Sequence, residues 1–234
     1  MAYQNGPRIV TNGLVLCLDA GNSKSYAGSG TSWTDLSGNG NNGTLTNGPT
    51  FSSSNKGGIV FDGTNDYVNC GAGSSTDFNG LKNMTVSAWL YPTAATATNS
   101  NVISKVWQWY MNFHTDRKIR FGFYHTGGAT VAYTNTALTL NAWYYSCWTY
   151  NGTSCIAYIN GISDNSFAMT NNLNYGAPYS ASCNVLIGAE ANFCSSPETR
   201  YFAGRIASAQ IYNRALSASE VLQNYNATKG RFGL

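Results

Sequence analysis

Short runs of apolar and β-forming residues, some alternating with polar ones, recur along this chain. Such runs are "LVLCL" at 14–18, "GIVF" at 58–61, "MTVSAWLY" at 84–91, "NVISK" at 101–105, "WQWYMNF" at 107–113 and "IRFGFY" at 119–124. They continue with "TVAYT" at 130–134, "AWYYSCWTY" at 142–150, "CIAYI" at 155–159, "VLIG" at 185–188 and "RIASAQIY" at 205–212. A period of two sends successive side chains to opposite faces, the geometry of a strand with one buried side. Asn-Gly punctuates the runs eight times, at 5–6, 12–13, 39–40, 42–43, 47–48, 79–80, 151–152 and 160–161. That dipeptide tolerates the positive φ angles of tight hairpin turns, so its density predicts many short antiparallel strands. The expected fold is all-β, a sandwich of two antiparallel sheets.

One segment breaks the period. "SASEVLQNY" at 217–225 opens with Ser217, and Glu220 follows three residues later. This is a capping box, and it predicts one short C-terminal helix with Val221, Leu222 and Tyr225 on its buried face. The expected division is an N-terminal arm at 1–9, a sandwich over 10–216, and a helix and tail at 217–234 packed on that sandwich. Residues 22–57 are rich in Gly, Asn, Ser and Thr, but Trp33, Leu36, Leu45 and Phe51 punctuate them as anchors, so ordered loops are expected there.

Two hairpins can be read face by face. Around Asn151-Gly152, an even-length loop places Tyr144, Ser146, Trp148 and Tyr150 with Cys155, Ala157 and Ile159 on one face, pointing to the core. Tyr145, Cys147, Thr149, Ile156 and Tyr158 share the other face, which is mixed and therefore less buried or covered by a partner. Cys147 and Cys155 then lie on opposite faces and cannot bridge. If "HTDRK" at 114–118 is a five-residue loop, Trp109, Met111, Phe113, Ile119, Phe121 and Phe123 face the core. Gln108, Tyr110, Asn112, Arg120 and Tyr124 face away. Tyr, Asn and Arg side by side suit sugar, because aromatic faces stack on C–H edges while amides and guanidinium bond hydroxyls. They are also ordinary on a solvated sheet. The candidate ligand- or partner-binding residues are Tyr110, Asn112, Arg120, Tyr124, Tyr145 and Tyr158.

Composition narrows the classes. Of 234 residues, 10% are charged and 43% hydrophobic, with 25 Gly and 16 Tyr, which excludes a disordered chain. The net charge of +3 carries no basic stripe beyond "DRKIR" at 116–120, so no nucleic-acid partner is expected. No run of 18 apolar residues exists, and no membrane insertion is expected. "MAYQNGPRIV" does not read as a signal peptide, so the six cysteines are expected as free thiols. No C-x-x-C pair accompanies His114 and His125, and no metal or other cofactor is expected.

Several segments together resemble the laminin G-like, concanavalin A-like lectin/glucanase superfamily. They are "GGIVFDGTNDYV" at 57–68, "TVSAWLYP" at 85–92, "ISK" at 103–105, "AWYYSCWTYNGTSCIAYING" at 142–161 and "FAGRIASAQIYNRALSASEV" at 202–221. "GLVLCLDAGNSKSY" at 13–26, "WTDLSGNGNNGTLTNGPTF" at 33–51 and "NYNATKGRF" at 224–232 resemble the version in virion proteins of tailed, especially marine, bacteriophages. The resemblance spans roughly residues 8–232 and implies a jelly-roll of two sheets. Ala207 and Ser208 stand where relatives often carry acidic residues. Asp62 and Asp66 are a close acidic pair, but Asp62 before Gly63 also reads as a turn cap.

Glucanases of this fold use paired carboxylates on one strand. Here the three Glu, at 190, 198 and 220, have no acidic neighbour at strand spacing, and no G-x-S-x-G elbow occurs. No catalytic residues are therefore expected and the chain reads as non-enzymatic, with a glycoside hydrolase left as an outlier. The expected function is a phage virion surface protein with a lectin-like domain for glycan or host-surface binding. The alternative is a capsid or tail decoration subunit making only protein–protein contacts. Expected partners are other virion subunits and host-surface polysaccharide, with a homo-oligomer open, and the expected location is the virion surface.

Overall fold

Strand-forming alternation and Asn-Gly turns close most of this chain into two antiparallel sheets. The structure, a computed structural model, describes residues 8–78, 80–95, 99–106, 108–125, 128–170, 183–191 and 198–234. Among them, the first sheet runs in the order Ile162–Ala168, Ser154–Ile159, Tyr144–Tyr150, Met84–Pro92, Ala203–Tyr212, Gly58–Asp62 and Thr50–Ser52. Leu14–Asp19 also pairs with Ala203–Tyr212. The second sheet runs Gly128–Tyr133, Ile119–His125, Trp109–His114, Asn99–Lys105, Val185–Ile187, Tyr67–Asn69, Gly43–Thr46 and Ser32–Trp33. Every strand pair in both sheets is antiparallel. The all-β, two-sheet jelly-roll expectation holds.

The core lies between the sheets. Both hairpins take the expected registers: Trp148 sits opposite Ala157 and Tyr150 opposite Cys155, while Met111 sits opposite Phe121. Their apolar faces meet across the sandwich. Phe121 stacks on Trp148, with ring centroids 5.4 Å apart, and Phe123 lies 5.0 Å from Tyr150. Such aromatic pairs contribute about 1 kcal/mol each beyond the area they bury. Asn160 (φ 52°) and Gly161 (φ 78°) make the tight turn between Ile159 and Ile162, with the positive angles this dipeptide was expected to supply.

The "SGNGNN" loop is built around a buried carboxylate. Asp35 accepts from the backbone N–H groups of Cys17, Ser37 and Asn41 and from the Ser37 hydroxyl. Four donors replace the water that burial removes, which is what makes a buried Asp tolerable.

The C-terminal helix spans Ala218–Thr228, with Ser217 as N-cap and both bonds of the capping box made. Its buried face differs from the expected one. Leu222 is exposed, and Asn224 is buried in its place. A step of one residue rotates 100° about the helix, so Val221, Asn224, Tyr225 and Thr228 form the inward stripe instead. Asn224 accepts from the Val10 N–H and donates to the Tyr212 hydroxyl, tying the start of the described chain to the helix. Residues 1–7 of the expected arm lie outside the described residues. Cys17, Cys70, Cys147 and Cys155 are free thiols, all buried. Cys183 departs from the free-thiol expectation: it is held in a disulfide. Cys194 lies outside the described residues. No helix among them is long and apolar enough to cross a membrane.

Candidate functional site

Tyr145 and Tyr158 are not available to a ligand or partner. They are 2% and 3% exposed, and they sit in an aromatic cluster between the first sheet and the C-terminal helix. Trp89 stands 5.5 Å from Tyr145 and stacks on Tyr225 of the helix at 5.7 Å. This corrects the expectation of a face less buried or covered by a partner: its cover is the chain's own C-terminal segment. Alternation identifies a second semi-apolar face; it does not say which segment closes it.

The other four candidates come together on the outer face of the second sheet. Phe113, Phe121 and Phe123 point into the core, so Tyr110, Asn112, Arg120 and Tyr124 point away from it. Register places Asn101 opposite Asn112, Asn112 opposite Arg120, and Arg120 opposite Tyr133. Four polar side chains therefore cross four adjacent strands in one row. In the next row, Tyr110 lies opposite Gly122. A β-carbon on Gly122 would meet Cζ of Tyr110 at 2.1 Å, so the glycine opens the space into which that ring folds. Tyr110 then packs edge-on to Tyr124, with centroids 6.2 Å apart. The Arg120 guanidinium lies 4.9 Å from the ring centre of Tyr133 and donates to the Asn99 side chain.

Two residues join from the short ribbon Glu190–Ala191 and Glu198–Thr199. Asn101 donates to Glu190 at 3.0 Å, and Arg200 forms an ion pair with the same carboxylate. Glu190 is thus neutralised within the face. Burial pushes the Tyr110 hydroxyl up to about 12 and raises Tyr124 as well, so both remain protonated donors at neutral pH.

Three buried polar atoms of this face have no partner: Oδ1 of Asn101, Oδ1 of Asn112 and Nε of Arg120. Asn101 and Asn112 are 0% and 1% exposed, as enclosed as Tyr145, whose hydroxyl is also without a partner, so these atoms belong to the interior. The partly exposed members of the face are Arg120, Tyr124 and Tyr133, one charged donor and two aromatic rings, which are groups suited to a polyhydroxylated molecule.

Sequence reasoning missed Asn101, Tyr133, Glu190 and Arg200. Asn101 and Tyr133 could have been found by carrying the two-residue period onto the neighbouring strands. Glu190 and Arg200 arrive from a distant ribbon and leave no local signal. Asp62 takes the turn-cap role, accepting from the N–H groups of Thr64 and Asn65. No group of three or more metal-ligating side chains occurs among the described residues.

The fold is shared with several solved proteins of low sequence identity. The binding domain of Paraclostridial Mosquitocidal Protein 1 is 18% identical, with a TM-score of 0.71 over 92% of this chain and 52% of that one. Domain 4 of AbnA, a GH43 extracellular arabinanase from Geobacillus stearothermophilus solved with arabinotriose, is 16% identical. Its TM-score is 0.66, over 91% of this chain and 98% of that one. Trypanosoma rangeli sialidase, solved with the inhibitor DANA, is also 16% identical at a TM-score of 0.66, over 95% of this chain and 34% of that one. The chain spans about half of the mosquitocidal domain and a third of the sialidase. No curated protein matches it by sequence. The family model described as the concanavalin A-like lectin/glucanases superfamily matches residues 62–222, which is most of the sandwich and the start of the helix. By that match and by its lectin-like jelly-roll, the chain belongs to the concanavalin A-like lectin/glucanases superfamily.

Proposed function

We propose that this protein is a non-enzymatic glycan-recognition domain that binds saccharide on the outer face of its second sheet, and that it serves on the virion surface of a tailed phage. The observation that carries the binding assignment is the partly exposed group Arg120, Tyr124 and Tyr133 on that face, with the Arg120 guanidinium 4.9 Å from the Tyr133 ring centre; Asn101 and Asn112, 0% and 1% exposed, support it from beneath. The virion placement rests on the likeness of segments 13–26, 33–51 and 224–232 to phage virion proteins. Proteins of the same fold supply context: one is the binding domain of a mosquitocidal protein, another an arabinanase domain in complex with arabinotriose.

The non-enzymatic reading is supported by the state of Glu190. A glycosidase carboxyl faces the scissile bond, whereas Glu190 is 5% exposed and engaged by Arg200 and Asn101. The protein-only decoration reading loses the surface first assigned to it, because Tyr145 and Tyr158 lie under the chain's own helix.

The test is binding of the purified protein to a panel of bacterial surface polysaccharides, with Arg120→Ala and Tyr124→Ala as variants. Binding by the parent and loss of at least tenfold in either variant are expected, since each removed contact is worth about 1–2 kcal/mol. Absence of binding across the panel, or binding indifferent to both variants, overturns the reading.

A further inference from the structure

On the outer face of the first sheet, beside the end of the C-terminal helix, a cavity of about 340 Å³ opens to solvent. Two neighbouring strands build its floor. Ala209 and Ile211 point into the core, so Ser208 and Gln210 of the same strand point outward. Register sets Ser208 opposite Asp19 and Gln210 opposite Cys17, and all four line the cavity. Ser208 and Gln210 are only 4% and 5% exposed, yet both keep bonding capacity unused. Gln210 accepts from the Ser87 hydroxyl at 3.2 Å through Oε1, which turns its Nε2 away. Among the described residues that Nε2 makes no hydrogen bond, and neither does the Ser208 hydroxyl. Neither atom is sealed in by protein, in contrast to the amide oxygens of Asn101 and Asn112. Two nearly buried polar groups, unpartnered and facing an open cavity, mark a seat for a ligand.

The walls limit what fits. Asp19 is the carboxylate of the lining, and Arg231 neutralises it at 2.6 Å, so nothing at the floor calls for a charged ligand. Arg8, also in the lining, is exposed and keeps its hydration. Ile9, Leu36 and Ala227 supply apolar wall. Gln210 Nε2 wants an acceptor, Ser208 suits a hydroxyl, and the wall wants a hydrocarbon group. A plain hexose meets the first two and leaves the wall uncovered. An acetamido group brings a carbonyl acceptor and a methyl together. We propose that this cavity seats an N-acetylated hexosamine residue: its acetamido carbonyl accepts from Gln210, its methyl packs on Ile9, Leu36 and Ala227, and a ring hydroxyl bonds Ser208. The volume lies near the lower end of the roughly 300–1,000 Å³ usual for ligand pockets, which suits one sugar residue. The seat is on the opposite sheet from Arg120 and Tyr124, and it goes beyond the reading above without resting on it.

The experiment titrates the unaltered protein with the methyl glycosides of N-acetylglucosamine, N-acetylgalactosamine and glucose, following side-chain amide signals by nitrogen-edited NMR. At least one N-acetylated glycoside is expected to shift the Gln210 amide signal saturably. It should bind about fivefold or more tightly than the glucoside, the share of one hydrogen bond. Gln210→Met removes the donor, and Ala227→Leu fills the cavity without touching a floor hydrogen bond. Each is expected to weaken the N-acetylated glycoside by about fivefold or more, with far-UV circular dichroism checking the fold. A Gln210 signal that neither N-acetylated glycoside moves overturns the proposal, whatever the polysaccharide panel shows. Equal affinity for the glucoside overturns the acetamido assignment. Binding lost in Tyr124→Ala and kept in both cavity variants places the sugar on the second sheet, which sinks this seat and leaves the glycan reading standing. Binding here with no effect of Arg120→Ala or Tyr124→Ala on any polysaccharide does the reverse.

Discussion

Phe232 stacks on Trp89 with ring centroids 4.1 Å apart, and its other neighbour, Trp143, stands 4.6 Å away. The last turn of the chain thus plugs an aromatic surface on the outside of the first sheet. Arg231 pins the plug by pairing with Asp19 at 2.6 Å and donating to the Gly57 carbonyl at 3.1 Å. Gly21 leaves the room this needs, since a β-carbon there would sit 2.2 Å from the guanidinium.

Phe232→Ala is expected to destabilise the fold by about 3 kcal/mol, the usual loss for removing a packed aromatic ring. Tryptophan emission should shift to the red as Trp89 and Trp143 meet water. Urea unfolding followed by fluorescence reads both effects, and an unchanged midpoint would show that the tail is not part of the cooperative unit.

The capping box carries a pH signature. Arg214 donates to both oxygens of Glu220, at 2.9 and 2.6 Å, and the Ser217 N–H adds a bond at 2.8 Å. These contacts hold the Glu220 carboxyl at about 2, below its ordinary 4.5. A value depressed in the folded state stabilises fully above about 4.5, and that stability is lost as pH falls through about 2. The site is near the surface, so the effect is about 1 kcal/mol. Glu220→Gln should lower the urea midpoint at pH 7, and the difference should shrink steadily from about pH 4.5 toward pH 2.

The thiols should be inert in the native protein. Burial, with Asp19 and Asp35 nearby, pushes Cys17 up to about 12, and burial also raises Cys70, Cys147 and Cys155. Thiolate is the reacting species, so iodoacetamide at pH 8 is expected to leave all four unmodified. In denaturant without reductant the same four should alkylate, and Cys183 should do so only after reduction. Mass spectrometry of peptides checks each site.

Gly122 tests the outer face directly. Gly122→Ala must displace the Tyr110 ring, at an expected cost of about 1–2 kcal/mol, and it should weaken saccharide binding while the two-sheet circular dichroism spectrum persists. Adding Tyr110→Ala should cost less than the sum of the two single changes, because the clash is then gone. Additive losses in melting experiments would argue that the ring does not occupy that space.

Legibility followed range. Phe121 and Trp148 could each be sent inward from their own hairpins, and the structure stacks them. Tyr110, Asn112, Arg120 and Tyr124 could likewise be put on one outward face. Tyr145 and Tyr158 obeyed the same period, yet an outward direction did not mean exposure, because the helix covers them. Glu190 was visible as an isolated acid, and nothing near it in the chain announced Asn101 or Arg200 as its partners.

The amino-acid order alone determined where strands run, where they turn and which side of each is apolar, because backbone pleat and Asn-Gly geometry act over a few residues. Tertiary structure alone decided what lies over each outer face. One is closed by Phe232 and the C-terminal helix, and the other carries the Arg120 guanidinium over Tyr133, with Glu190 held by Asn101 and Arg200. Those outcomes depend on contacts between segments remote in sequence, and local alternation is the same whether a face meets a helix, a ligand or water.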